Sequence, residues 1–145
     1  MRAVVQRVSS AKVTAGGAVA GEISGGLCVL LGVAGGDDVG RARRLAARVA
    51  RLRIFENEGG RFDRSLLDTG GAALVVSQFT LVADTAKGNR PSFSGAAVPE
   101  LAKPLYETFC DALRAEGVEV ATGIFGAHMA LEITNDGPVT IVLEA

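Results

Sequence analysis

Tryptophan is absent from this chain of 145 residues, and tyrosine and histidine occur once each. With aromatics at 5% and apolar residues at 48%, valine, leucine and alanine must fill the core. The one histidine, His128, is the only base available to a Ser-His-Asp arrangement, and no nucleophile elbow accompanies it. Zinc-ligand spacings are missing, as is a GxxxxGK[ST] phosphate loop, so neither a metal nor a cofactor is expected. Cys28 and Cys110 sit among apolar neighbours outside any CxxC and read as small buried hydrophobes. Two free thiols without a signal segment point to a cytoplasmic protein. The longest apolar stretch, GGLCVLLGVAGG at 25–36, falls short of the roughly 20 residues a bilayer requires and reads as a buried strand.

Charge is also nearly absent overall, at −1, which excludes a generic polyanion binder. Locally it is uneven. Arginines stand at 41, 43, 44, 48, 51 and 53 with no acid between them, and Lys87 and Arg90 form a second basic stretch. An arginine-rich helix is ordinarily a solvated face, and it becomes informative only if another feature points to RNA.

The length suits one domain spanning 1–145, able to bury about two-thirds of its unfolded surface. Residues 2–23 alternate around Gly16-Gly17 as a β-hairpin does. A buried strand over 27–34 is followed by Asp37-Asp38, N-cap candidates for a helix from Val39 to about Leu52. Ala72–Phe79 is strand-like, with Thr80–Ala83 read as a continuation past a bend, and 84–97 is loop-like. A second helix is expected over Pro99–Glu116, Pro104 kinking or delaying it. Strand candidates follow at 118–124, 129–134 and 139–143. The expected class is α+β, a curved or closed, mainly antiparallel sheet with two outer helices. A doubly wound parallel sheet is the weaker alternative, because helices and strands do not alternate regularly.

Two segments break the pattern of ordinary strands. Ser77-Gln78-Phe79-Thr80 places hydroxyls, an amide and an aromatic ring at the end of a central strand. Either this is a site or a strand edge meeting water. Asn135-Asp136-Gly137-Pro138-Val139-Thr140 is either a plain turn or a rigid main-chain wedge, because Gly permits close approach and X–Pro bonds tolerate the cis form. Spacing alone does not decide between them.

Together, SQFTLVADT and NDGPVT resemble the SQxTL and NxGP[VF]T motifs of the D-aminoacyl-tRNA deacylase family. The likeness extends over the chain, through VVQRVSSAKVT at the start, RIF at 53–55, the 83–93 loop ending in RPSF, and GIFGAHM at 123–129. The resemblance implies a homodimer acting on the acceptor end of aminoacyl-tRNA. In it Gly137-Pro138 of one subunit, joined by a cis bond, enters the pocket of the other. It implies that Ser77, Gln78, Phe79 and Thr80 line the reaction centre and that Arg7 supports the Gly-Pro segment. Phe125 and Met129 would hold the terminal adenosine, and Asn135, Val139 and Thr140 would complete the wedge. His128 receives no role.

Ester hydrolysis is then expected either from Thr80 as nucleophile or from backbone N–H groups near Phe79 and Thr80, with the substrate's own 2′-hydroxyl activating water. The alternatives are a related deacylase for L-alanyl or glycyl mischarging, a non-catalytic RNA-end binding module, and a small triad esterase depending on His128.

Overall fold

The computed structural model describes residues 1–145. The expected hairpin forms β1 (Arg2–Ala15) and β2 (Ala18–Ile23), joined through Gly16-Gly17, both with positive φ. The apolar run makes β3 (Gly26–Gly32), antiparallel to the first half of β1, from Arg2↔Gly32 to Val8↔Gly26. Helix α1 (Val39–Arg51) starts where Asp38 accepts the N–H of Arg41, and its buried stripe is Ala42, Leu45, Ala46, Val49 and Ala50. A small hairpin, β4 (Phe55–Glu56) and β5 (Phe62–Arg64), occupies what reads in sequence as a polar loop. A single turn, α2 (Leu66–Thr69), follows, fixed by a Ser65/Asp68 capping box.

Strand β6 (Ala72–Ser77) then runs parallel to β3, and β7 (Glu119–Thr122) runs parallel to β6. Between them lies α3 (Pro99–Ala115). Pro104 sits inside this helix, neither ending nor delaying it, because Ala102, Tyr106, Phe109, Cys110 and Leu113 bury one continuous stripe. The final strand, β8 (Met129–Glu144), pairs antiparallel with β1 almost from end to end.

Two expectations change. Residues 79–82 form a 3₁₀ turn and do not prolong β6. The last two strand candidates are one strand, with register slips opposite Val8 where a separate turn was an option. The sheet is mixed, three antiparallel pairings through β1 being joined by two parallel ones. β2 also approaches β7, and a Cβ on Gly21 would stand 2.5 Å from the carbonyl oxygen of Thr122. The sheet thus nearly closes on itself.

A small core fills its interior with Val8, Val13, Cys28, Leu74 and Val76. A larger one, centred on Phe109, Leu27, Leu31 and Leu45, lies between the sheet and the two long helices. No helix is long and apolar enough to cross a membrane.

Phe109 is fully buried; Phe109→Ala is expected to cost about 3–5 kcal/mol in urea unfolding. Burial pushes the thiols of Cys28 and Cys110 up to about 11. The folded state therefore favours the neutral form. That contribution is complete below about pH 9, the unfolded value, and is lost as pH rises through about 11. Equilibrium unfolding at about pH 8 and about pH 10.5 should show lower stability at the higher pH, and a Cys28→Ala/Cys110→Ala variant should lose less over the same interval.

Candidate functional site

Because β3, β6 and β7 are parallel, their carboxyl ends share one edge, the usual place for a ligand in such sheets. Here the chain leaves β6 at Ser77, and the loop after β7 and the start of α3 approach from either side. They enclose a cavity of about 510 Å³. Ser77, Gln78 and Phe79 line one wall, Phe125, His128 and Met129 another, and Pro99 and Ala102 of α3 a third.

The 79–82 turn is held from several directions. Gln78 donates its N–H to the carbonyl of Leu31 at 2.8 Å, and Arg2 Nη1 donates to the carbonyl of Leu81 at 2.8 Å. Gly32 lets the turn approach, since a Cβ there would lie 3.0 Å from both the Gln78 oxygen and the Leu81 side chain. As the first N–H groups of the turn, those of Phe79 and Thr80 have no acceptor within it and remain available to a ligand. The Thr80 hydroxyl accepts from the Gln78 amide. Phe79, 55% exposed, stands edge-on to Phe93, ring centroids 5.1 Å apart. Phe93 belongs to the 84–97 segment, closed by two 2.8 Å backbone bonds between Asp84 and Ser92.

Gly137-Pro138, a cis bond, lies elsewhere. Val8 pairs with both Gly26 and Asn135, so the Gly-Pro corner belongs to the amino-terminal end of β3, whereas Ser77 is level with Leu31. The five residue steps from Gly26 to Leu31 correspond to about 17 Å. Opposite the corner the β1–β8 register slips twice, between Gln6 and Val8 and between Val8 and Ser10. Residues 135–138 are exposed.

The corner is nevertheless anchored. Arg7, only 5% exposed, donates Nη1 to the carbonyl of Ile54 at 2.8 Å and Nε to the carbonyl of Asp136 at 3.1 Å. Asp136 and Glu56 carboxylates lie 3.4 and 3.6 Å from the guanidinium, and Phe62 covers it at 5.7 Å. Gly137 is tight as well, because a Cβ would meet Arg7 Nη2 at 3.2 Å.

Of the residues singled out from sequence, Ser77, Gln78, Phe79, Phe125 and Met129 surround one cavity, with Thr80 next in the turn. Arg7, Asn135, Gly137, Pro138, Val139 and Thr140 gather at the opposite end of the same chain. The sequence reading missed Phe93, the only aromatic of a polar loop, and the Ile54, Glu56 and Phe62 partners of Arg7. Pairings that distant leave no local pattern. His128, to which no role was given, lines the cavity but makes no ion pair or hydrogen bond, so nothing orients it as a base. No group of three or more His, Cys, Asp or Glu side chains is gathered to hold a metal. A second hollow, about 460 Å³ around Lys12, Glu22 and Glu132, is lined mostly by polar residues, with Lys12 3.3 Å from the Glu132 carboxylate.

A family model described as D-Tyr-tRNA(Tyr) deacylase matches residues 4–144. The chain is 61% identical over 145 residues to a protein named D-aminoacyl-tRNA deacylase from Roseiflexus sp. strain RS-1, covering all of this chain and 94% of that one. A protein of the same name from Deinococcus radiodurans is 58% identical over 144 residues, covering 99% of each. Among solved structures, one called c-Myc DNA Unwinding Element Binding Protein superposes with a TM-score of 0.94 at 42% identity, covering 100% of this chain and 99% of that one. A probable eukaryotic D-amino acid tRNA deacylase, 17% identical, shares the fold with a TM-score of 0.84 over 98% of this chain and 97% of that one.

Arg7→Ala, which strands the buried carbonyl of Ile54, is expected to cost about 1–3 kcal/mol. Amide exchange should quicken at residues 135–139 while the 79–82 turn stays protected; uniform quickening would deny Arg7 a local role.

Proposed function

Because this chain belongs to the D-Tyr-tRNA(Tyr) deacylase family, we propose that it hydrolyses the ester joining a D-amino acid to the terminal ribose of tRNA, releasing both free. The observation that carries the reading is the pairing of an open pocket, beside a turn with unbonded backbone donors, with an anchored and exposed main-chain corner about 17 Å away along the strands. A chain cannot insert that corner into its own pocket. Two copies related by a two-fold axis can exchange corners, each filling the other's site. The proposed enzyme is therefore a homodimer, and the proposed compartment is the cytoplasm.

D- and L-aminoacyl esters carry the same groups and differ only in which way the side chain and hydrogen point from one carbon. A pocket that pins the amine and carbonyl rejects one hand by occupying the space its side chain would need. Main chain at Gly137-Pro138, held through Arg7, suits that task because it cannot rotate aside as a side chain can. Asn135, Val139 and Thr140 frame the corner, and Phe125 and Met129 offer an apolar seat for the terminal adenine. Glycine has no side chain on either hand, so glycyl-tRNA should also be hydrolysed.

Chemistry follows from what surrounds the turn. Water adds to the ester carbonyl, the N–H groups of Phe79 and Thr80 receive the developing oxyanion, and the ribose 3′-oxygen leaves with a proton. Ser77 and Gln78 bound the space beside them. No protein base faces the Thr80 hydroxyl, whose side-chain partner is the donating Gln78 amide. In this reading the neighbouring 2′-hydroxyl of the substrate activates the water.

Deacylation of matched D- and L-aminoacyl-tRNA by the purified protein tests the reading, with turnover of the D-ester expected and the L-ester spared. Equal hydrolysis of both hands, or preference for L-alanyl-tRNA, contradicts it. Thr80→Ala should retain activity within about tenfold, while a 2′-deoxy terminal adenosine should abolish it. The reverse pattern makes Thr80 the nucleophile.

A further inference from the structure

Helix α1 carries more positive charge than its own stability explains. Arg41, Arg44, Arg48 and Arg51 recur at steps of three, four and three residues and so form one ridge, about 15 Å long, opposite the buried stripe. Like charges at such spacing repel, and the first turn contains no acid although cations oppose the helix dipole there. At the ends of the ridge the charge is shared. Arg41 lies 3.3 Å from Asp37, which the Met1 ammonium already holds at 2.7 Å, and Arg51 pairs with Glu116 at 2.7 Å. In the middle, exposed Arg44 and Arg48 have no carboxylate within 4.0 Å.

The ridge also leads to the pocket. Arg48 Nη1 donates to the carbonyl of Glu144 at 2.6 Å, and the Glu144 carboxylate receives Arg2 at 2.6 and 2.8 Å. Arg2 in turn holds Leu81 of the turn that presents Phe79 and Thr80. Three contacts thus connect Arg48, which pairs with no carboxylate, with the turn beside the pocket.

We infer that the Arg44–Arg48 ridge of α1 is the track along which the sugar-phosphate backbone of the substrate RNA lies as its aminoacylated end enters the pocket. This rests on the proposed reading of the site and names the surface that reads the rest of the substrate. Successive arginines, one helical turn apart, are spaced comparably with consecutive phosphates of a strand. Phosphate contacts of this kind position without reading sequence, as suits an enzyme whose selectivity resides at the amino acid.

Binding of uncharged tRNA is measured by fluorescence anisotropy across a salt series, alongside kcat/KM for a D-aminoacyl-tRNA and for the same amino acid esterified to adenosine alone. Arg44→Gln/Arg48→Gln should lower the slope of log K against log salt by about 1 for each arginine removed. Its ratio of kcat/KM on tRNA to that on the adenosine ester should fall by about tenfold or more at low salt. Arg48→Lys should restore most of the slope, and Arg43→Gln, the same charge change on another face of the helix, should leave it unaltered. An unchanged slope in the double variant, an equal drop in Arg43→Gln, or matching losses on both esters overturns the inference. If the wild type hydrolyses neither ester while the binding slope still falls, the ridge stands and the deacylase reading fails.

Discussion

Strand β1 pairs with β3 along one edge and with β8 along the other, and this shared register controls where every functional group ends up. Its first residue meets the end of β3 and, through the Arg2 side chain, the 79–82 turn. Five and six residues on, Arg7 and Val8 meet the start of β3 and the Gly137-Pro138 corner. A slip of one residue would turn Arg7 away from the corner and expose the apolar side chains that β1 buries. Site and corner are therefore separated by backbone hydrogen bonding, not by flexible loops, and neither can drift toward the other within one chain.

That separation bears on how a pocket so open could serve the selective reaction proposed for it. On the proposed function the largely apolar cavity seats an adenosine and the N–H groups of the adjoining 79–82 turn polarise the ester, but nothing in one chain distinguishes the hands of an amino acid. Under the proposed reading, the missing wall is the partner's corner. Arg7 makes that wall stiff: its guanidinium is nearly buried and spends its donors on two carbonyls, with Phe62 laid over it. Stiffness is what steric rejection requires, because a wall that yields by an ångström admits the wrong hand.

The local features were legible in the sequence. Alternation around Gly16-Gly17 and the Asp38 cap placed the hairpin and the start of α1, and both long helices end within a residue of the expected positions. Ser77-Gln78-Phe79-Thr80 and the Gly137-Pro138 segment stood out because they break strand periodicity. What the residues alone left hidden depends on contacts distant in the chain. The polar 55–64 segment folds as a small hairpin because Arg53 binds Asp63 and Asn57 caps its turn, and only then can Phe62 cover Arg7. Residues 79–82 turn because Leu31 and Arg2 hold them from other strands. The single strand β8 looked like two because its Gly-Pro bulge carries the composition of a turn.

The claim that each site is completed by a second copy is tested most directly by mixing two defective variants. One carries Arg7→Ala, whose loosened corner should let both hands be hydrolysed; the other carries Met129→Arg, whose blocked pocket should hydrolyse neither. In a mixed dimer, the intact pocket of the first faces the intact corner of the second, so D-selective hydrolysis should return in about half the sites. If mixed dimers form and their hydrolysis stays as unselective as that of the Arg7→Ala parent, pocket and corner do not work across the subunits, and the account fails.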